Sequence, residues 1–430
     1  MAVTTASPNT VSSKTLTERS HQLRNRLYGV AFIRIALALY WLFAQGGDAK
    51  LVSTYGLNQG NVAAADRVPD WVIPSFGTAA LLAVASAAVG AYQLARGFGR
   101  ATSVMLGLVA VFFIFSFLTW ATRDQSINLA GMLKTMVERS VPLTLGALSG
   151  ILCERAGVVN IAIEGMMLGA AMVAAIVASV THNLWIGVLG AVLTGGLLAF
   201  IHAVLSIRYK VDQIISGTVI NIFATGMTSF IAVKFLEVYP DLNNPGIFLS
   251  YPIPLLSRIP LIGGILFDAN IFTYGAYILL VVVHVGLFYT RWGLRVRAVG
   301  EHPRAADTLG INVYRTRYIN VILGGLVAGF AGAYFTLGST SSFDKLMTAG
   351  RGFIALAAMI FGKWTPFGSA GAALIFGFAE SLQTKLAILK VPIPSQFLLM
   401  APYIVTMIAL AGLIGRAIPP AADGQPYDKG

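Results

Sequence analysis

Long apolar runs dominate this chain, and short polar stretches separate them. The runs fall at about 28–44, 73–95, 102–121, 139–153, 162–181, 184–206, 214–236, 270–290, 318–337, 352–362, 366–387 and 396–415. Most are about 17 to 23 residues long, which suits a helix that crosses a bilayer, and they lack the alternation of a barrel strand. The pattern predicts an all-α, polytopic membrane helix bundle with about 10–12 hydrophobic segments.

Composition supports this fold class. The 430 residues are 56% hydrophobic and only 11% charged, so their apolar surface cannot be hidden in one soluble core and needs a lipid bilayer. We assign the formal charge of +12 to loops that orient the helices, and we expect no nucleic-acid partner. The single Cys153 excludes an intrachain disulfide and a cysteine-based metal cluster.

The positions of the basic residues predict the orientation. Residues 1–26 are polar and lack the features of a signal peptide, so we interpret them as a flexible cytoplasmic tail. Alternation of the segments then places the six arginines between Arg291 and Arg317 in the cytoplasm, together with the basic residues at 96–100 and 208–210. All six tryptophans fall at predicted helix boundaries. Both termini are expected to be cytoplasmic.

The chain divides into regions of different texture. Residues 27–122 form plain apolar segments, which we interpret as an accessory N-terminal transmembrane region. The core region, 123–416, carries the informative polar motifs, and 417–430 form a cytoplasmic tail. The polar stretch 123–140 between the regions allows a helix that lies along the outer interface.

A polar group inside the apolar stretch 150–169 is the first candidate site. Glu154, Arg155, Asn160 and Glu164 lie there among four glycines, which allow a broken helix whose ends meet a polar ligand. The alternative is architectural: Glu154 and Arg155 form a local surface pair and Asn160 caps a helix. Both readings stay open at this point.

A second polar stripe follows Asp212. It consists of residues at helical spacing that share one face, namely Thr218, Asn221, Thr225, Thr228 and Ser229. We expect that face to look inward, where its groups could bond a solute or join helices. Glu380 and Gln383 form a further polar spot, and we assign the isolated His202 and His284 to packing roles.

The loop 291–313 is suited to docking. Pro303 can start a short helix and Gly310 can end it. Ala305, Ala306 and Leu309 would then share one face, which could insert into a groove on a partner protein. The alternative is an ordinary basic cytoplasmic loop.

Common catalytic motifs are missing from the sequence. The only Gly-Lys pair, Gly362 and Lys363, is followed by Trp364, so the chain has no phosphate-binding loop of the Gly-x-x-x-x-Gly-Lys type. Zinc-protease and nucleophile-elbow motifs are also missing. We therefore expect neither an enzyme nor a cofactor or metal site in this chain.

Four ordered blocks, 154–167, 211–221, 300–306 and 353–368, carry a family resemblance. They resemble the membrane subunits of ABC importers for simple sugars and nucleosides, in the branch that works with basic-membrane-protein-type lipoprotein receptors. The resemblance spans about 141–416. It implies a type-II-like permease fold of two related halves with broken helices, in a bacterial inner membrane. It also implies a second permease subunit, cytoplasmic ATPase subunits that use ATP, and an extracellular substrate-binding lipoprotein.

The resulting hypothesis is a permease subunit that translocates a nucleoside or related nucleobase-containing solute. The expected substrate-pathway residues are Asn160, Glu164, Asn221 and Thr225. The expected ATPase-coupling loop contains Gly300, Glu301, Pro303, Arg304, Ala305, Ala306 and Gly310.

Three alternatives remain at this level. The solute could be a simple sugar such as ribose or galactose. The protein could be a secondary transporter that uses protons or sodium, with Glu154, Glu164 or Glu380 as the coupling site. A membrane-embedded enzyme would need a clustered acid, base or metal site, which the sequence does not offer.

Overall fold

A computed structural model of the protein describes residues 13–45, 50–59, 67–389, 400 and 417–429. The described residues form two compact units. The N-terminal unit extends to Leu129, and the core unit contains Ala130 to Ala387 and the residues near the C-terminus.

The N-terminal unit contains three long helices and a small sheet. The helices are α1 (Ser13–Leu39), α2 (Ser75–Ala95) and α3 (Thr102–Ala121). Residues 13–26 are therefore helical, although their polar sequence suggested a flexible tail. The strands are β1 (Val52–Gly56), β2 (Trp71–Pro74) and β3 (Ser126–Asn128), in the order β2-β1-β3. The hydropathy pattern did not predict this sheet.

Hydrogen bonds fix the sheet of the N-terminal unit to its helices. The Ser53 hydroxyl donates to the carbonyl of Thr119 at 2.7 Å, and the Tyr55 hydroxyl lies 2.8 Å from the Thr119 hydroxyl. The Ser53 and Tyr55 side chains are fully buried. Because buried polar groups need partners, these bonds join β1 to the end of α3.

The core unit is almost entirely helical. Its helices are α4 (Leu129–Glu154), α5 (Ile163–Thr181), α6 (Leu184–Ala203), α7 (Gln213–Ile231), α8 (Ile262–Leu266), α9 (Ile271–Tyr289), α10 (Arg291–Glu301), α11 (Pro303–Thr308), α12 (Val313–Phe335), α13 (Arg351–Phe361) and α14 (Pro366–Ile388). Two short antiparallel strands, β4 (Tyr251–Pro252) and β5 (Asp268–Ala269), pair between α7 and α9.

The helices confirm a polytopic, helical membrane protein. Among the described residues, nine helices are long and apolar enough to cross a membrane, and Arg351–Phe361 is a shorter apolar helix. The predicted segment 139–153 is the end of a longer helix, Leu129–Glu154, which also contains the later part, 129–140, of the polar stretch expected at the interface. The predicted segment 396–415 lies outside the described residues.

Burial separates an inner from an outer layer in the core unit. In α4, α5 and the span Val313–Thr340, at least two thirds of the most apolar window is buried, against about one third in the spans that contain α6, α7 and α9. Lipid dissolves apolar side chains, so the exposed leucines and isoleucines of the outer helices need no protein cover. The inner helices α4 and α5 hold the polar group of the stretch 150–169.

Glycines allow α6 and α12 to approach closely. A side-chain carbon added at Gly195 of α6 would overlap the backbone of Gly325 and Gly329 on α12, and one added at Gly329 would overlap Ala191. Small residues at a helix crossing are the usual way in which membrane helices gain packing contacts. This crossing positions α5 and α12 as the centre of the unit.

We expect Gly195→Val to destabilise the detergent-solubilised protein by about 1–3 kcal/mol, because the new side chain overpacks the crossing. Thermal unfolding would show a lower midpoint temperature. The same substitution at Gly226, where an added carbon meets open space, is the matched control. Equal midpoints for the two variants would contradict this packing account.

Candidate functional site

Residues 155–162 interrupt the helical chain between α4 and α5, and neighbouring helices satisfy their backbone. The Val159 N–H donates to Gln213 Oε1 at 2.7 Å, and its carbonyl accepts from His202 Nε2 at 2.9 Å. The Ile161 carbonyl accepts from Asn221 Nδ2 at 2.9 Å. Non-helical backbone at membrane depth is tolerated only where such partners exist. We call 155–162 the first break.

Asn160 and Asn221 both serve the start of α5. Asn160 is fully buried, and its Oδ1 accepts from the Ala162 N–H at 3.1 Å, which closes a turn before the helix. Asn221 Oδ1 accepts from the Gly165 N–H at 2.7 Å. The two amides therefore act on the backbone of the first break in this structure. Their contact with a solute stays a prediction.

Glu164 binds the N-terminal end of α13. Its Oε1 accepts from the Thr348 hydroxyl at 2.6 Å and from the Gly350 N–H at 2.8 Å. Its Oε2 accepts from the Gly352 N–H at 2.6 Å. The first N–H groups of a helix lack partners within it and carry partial positive charge, so a carboxylate is the best group to meet them.

Arg155 and Glu154 bind the other end of α13. Arg155 Nε donates to the Trp364 carbonyl at 3.1 Å, and its Nη2 donates to the Lys363 carbonyl at 3.4 Å. The Trp364 indole N–H donates to Glu154 Oε2 at 2.6 Å. Lys363 and Trp364 both have positive φ angles, which turn the chain sharply between α13 and α14. We call 362–365 the second break.

The first break and the first turn of α5 thus supply a group of complementary charge to each end of α13. The carboxylate of Glu164 meets the partially positive N-terminus, and the guanidinium of Arg155 meets carbonyls just past the C-terminus. With eleven residues, α13 is too short to span the bilayer. These partners allow a half-helix to end inside a membrane protein.

Glu154 and Arg155 do not form the local ion pair considered from the sequence, because each binds the second break. The third carboxylate of the ion-coupled alternative, Glu380, pairs with Arg351 at 3.2 Å. All three carboxylates of that alternative therefore have partners in this structure. Among the described residues, no group of three or more acidic, histidine or cysteine side chains could hold a metal ion.

The polar stripe of α7 divides between two environments. Asn221 and Thr228 are buried, Thr225 is half-buried, and Thr218 is exposed. The expectation that the whole stripe looks inward is therefore wrong for Thr218, whose hydroxyl donates to its own helix at the Ile214 carbonyl. Thr225 lies one turn beyond Asn221, at the edge of the buried face.

The loop after α9 forms the two helices α10 and α11, and the expected short helix is present. It begins at Pro303, and Gly310 follows it with φ +82°. The predicted apolar face is wrong in one respect: Ala306 is buried, whereas Leu309 is 81% exposed. The helix α11 is little more than one turn long. Its inner side packs on the protein, and its outer side is exposed.

The exposed residues of this loop form a compact surface, and the rest hold it in place. Arg304 and Ala305 are exposed beside Leu309, and Glu301 is exposed at the end of α10. Gly300 is buried, and a side-chain carbon there would overlap the Arg155 carbonyl. The loop therefore touches the first break directly. We call Arg304, Ala305 and Leu309 the docking surface.

Several residues of the break region were not recognised from the sequence. Gln213 and Trp364 lie in the blocks 211–221 and 353–368, but a glutamine beside Asp212 and a tryptophan at a helix boundary are both common. His202 was assigned to packing, yet it binds the backbone of the first break. Thr348 gave no signal, because a threonine in a polar loop is common.

We expect Glu164→Gln to lower the free energy of unfolding by about 1–3 kcal/mol. The glutamine has one acceptor oxygen and an NH₂ group that can only donate, whereas two N–H groups and a hydroxyl at this site need acceptors. Thermal unfolding in detergent is the measurement. Glu237→Gln is the control, because Glu237 forms an exposed pair with Lys345 and such pairs contribute little. A loss no larger than that of the control would contradict the capping role.

Comparison with known proteins covers this core region. Residues 132–415 match the family described as branched-chain amino acid transport system / permease component. The guanosine ABC transporter permease protein NupQ of Bacillus subtilis is 43% identical over 68% of this chain and 94% of its own. The nucleoside ABC transporter permease protein NupC of Lactococcus lactis is 39% identical over 68% of this chain and 95% of its own.

A putative glucose ABC transporter permease protein, TsgC13 of Haloferax volcanii, is 36% identical over 60% of this chain and 78% of its own. No solved structure shows significant similarity to the chain. The matched region contains both breaks and the docking surface, and its length and burial pattern are those of a multi-pass membrane protein. The chain therefore belongs to the permease component family of branched-chain amino acid transport systems.

Proposed function

We propose that the protein is the permease subunit of an ABC importer for nucleosides or related nucleobase-containing solutes. The observation that carries this proposal is the identity of 43% and 39% to guanosine and nucleoside permeases, over nearly their whole length. The sugar alternative has weaker support, since the putative glucose permease matches less of this chain at lower identity.

The electrostatics of α13 support an uncharged solute. The N-terminus of a half-helix inside a transporter is a typical binding site for a substrate carboxylate. Here Glu164 already fills that position with three hydrogen bonds. A solute carboxylate or phosphate would meet a negative charge instead of free N–H groups. Neutral nucleosides fit this environment better than amino acids or nucleotides.

In this proposal the pathway runs beside the start of α5 and the partly buried face of α7. Thr225 provides a hydroxyl to the solute, and Asn160, Glu164 and Asn221 shape the pathway through the first break. Their hydrogen bonds to backbone groups support this division of roles. Recognition then depends on hydrogen bonds and shape, and no bond of the solute is made or broken.

The proposed assembly has the usual parts of an ABC importer. A second permease subunit completes the pathway, and an extracellular lipoprotein delivers the solute. Cytoplasmic ATPase subunits bind the docking surface. The protein lies in a bacterial inner membrane with both termini in the cytoplasm. Exposed Leu309 and Arg304 beside buried Ala306 support a surface that is rigid on one side and open on the other.

Transport by the complete complex in proteoliposomes tests the proposed solute. We expect uptake of labelled guanosine that requires ATP and is inhibited by other unlabelled nucleosides. Guanosine monophosphate and leucine should not compete, since both carry an anionic group. Competition by ribose or glucose equal to that by nucleosides would instead support the sugar alternative.

Thr225→Val tests the pathway. The substitution keeps the shape of the side chain and removes one hydrogen bond, so we expect the KM for nucleoside uptake to rise by about threefold to tenfold. Thr218→Val is the control on the same helix, because the Thr218 hydroxyl bonds within the helix. A KM that changes equally in both variants would argue against a solute contact at Thr225.

Arg304→Glu combined with Leu309→Asp tests the docking surface. We expect the ATPase subunits to bind the permease about tenfold more weakly, because an exposed apolar anchor and a cation are lost together. Co-purification and ATP-dependent uptake are the measurements. Leu249→Asp is the control, since Leu249 lies in the loop between α7 and α8 and is 79% exposed. Undiminished ATPase binding would remove the docking assignment.

A further inference from the structure

Residues 417–429, which we call the C-terminal strap, hydrogen-bond to the C-terminal end of α10. The Ala422 N–H donates to the Gly300 carbonyl at 2.9 Å, and the Ala421 N–H donates to Glu301 Oε2 at 3.1 Å. These bonds use a carbonyl and a carboxylate at the C-terminal end of α10, just before the docking surface. The strap therefore has a defined position on this loop.

Tyr427 anchors the strap beneath α11. Its side chain is only 6% exposed and belongs to one apolar cluster with Val299, Ala306 and Val313. Its ring lies 5.4 Å from that of Tyr314, whose hydroxyl donates to the Tyr427 carbonyl at 3.2 Å. The buried side of the docking helix thus rests on a residue of the strap rather than on the transmembrane helices alone.

The middle of the strap reaches the first break through buried charged groups. Arg317 of α12 is 2% exposed and donates from Nη1 to the Gln425 carbonyl at 2.8 Å. Electrostatic interactions relate the partly buried Asp423 to Arg317 and to the Glu154 carboxyl group, and burial raises the pKa of Asp423 above its usual value. Gly157 lets the chains approach, since a side-chain carbon there would crowd Arg317 and the Ala422 carbonyl.

We propose that the C-terminal strap is a coupling element, which transmits movement of the docking helix to the two helix breaks. Tyr427 packs with α11, and the strap closely approaches Gly157 of the first break, whose first residue, Arg155, holds the second break. Contacts of buried, closely packed groups transmit displacement because they do not deform gradually. Asp423 and Tyr427 are positioning residues in this view and do not touch the solute.

The inference rests on the proposed docking of ATPase subunits but goes beyond it. The family match ends at residue 415, so the strap lies outside the region that defines the family. An ordinary tail would have an exposed, mostly polar sequence. This segment instead buries the Tyr427 ring, which is stabilising, and partly buries the Asp423 carboxylate, which costs free energy unless its contacts are maintained.

The test uses the complete complex in proteoliposomes and measures solute transported per ATP hydrolysed. Asp423→Ala combined with Tyr427→Ala removes both anchors of the strap. We expect the ratio to fall about tenfold while the ATPase subunits remain bound and hydrolyse ATP. Tyr427→Phe keeps the ring, and removal of residues 428–430 deletes only exposed ion pairs; both controls should preserve the ratio.

Each outcome has a definite meaning. An unchanged ratio in the double variant overturns the coupling role. Loss of the ATPase subunits from the double variant also overturns it, since the strap would then belong to the binding surface. The docking proposal is tested separately. Its test is whether ATPase subunits still bind the variant that combines Arg304→Glu with Leu309→Asp. If the double variant does not fold, the single substitution Asp423→Ala is used instead, and the ratio of solute transported to ATP hydrolysed is compared in the same way.

Discussion

The core unit depends on the carboxylate of Glu164 at the N-terminus of α13. A helix that stops inside a membrane leaves N–H groups without partners, and lipid cannot supply them. Glu164 meets that need with one side chain, and Arg155 acts in the opposite sense at the other end of the same helix. Arg155 begins the first break, and Glu164 follows it in the first turn of α5. The second break and α13 are therefore stabilised by residues at the first break.

The docking surface is connected to this arrangement at short range. Gly300 touches the backbone of Arg155, and Arg155 holds the turn after α13. A force applied at α11 needs to pass only a few residues to reach both breaks. The C-terminal strap adds a second route through Asp423. The loop that contains α11 and the two breaks therefore form one connected region of the core unit.

Hydropathy was sufficient to predict the helical class and most spans, because about 20 apolar residues in a row have few other stable forms. It failed where local rules compete. The segment at 139–153 was too short because Arg139 and Glu138 hid the helix that continues to Leu129. The sheet in the N-terminal unit was missed, because strands of three to five residues in polar loops leave no periodic signal.

The candidate site was predicted in part for the same reason. Charged and amide residues in an apolar stretch identified the first break, since such residues are rarely placed in membranes without a role. Their partners could not be deduced, because Thr348 and Trp364 lie about two hundred residues away in the chain. An asparagine such as Asn160 can either bind a solute or cap backbone groups, and both roles are compatible with the same sequence. Only the three-dimensional arrangement distinguishes these uses.

The satisfied backbone of the first break has a mechanical consequence. Gln213, His202 and Asn221 already occupy its free amide and carbonyl groups, so unwinding the break further would expose polar groups to lipid at a cost of several kcal/mol each. The break is thus a rigid joint and not a hinge. A displacement that reaches the break would then move it as one body, with its hydrogen bonds unchanged.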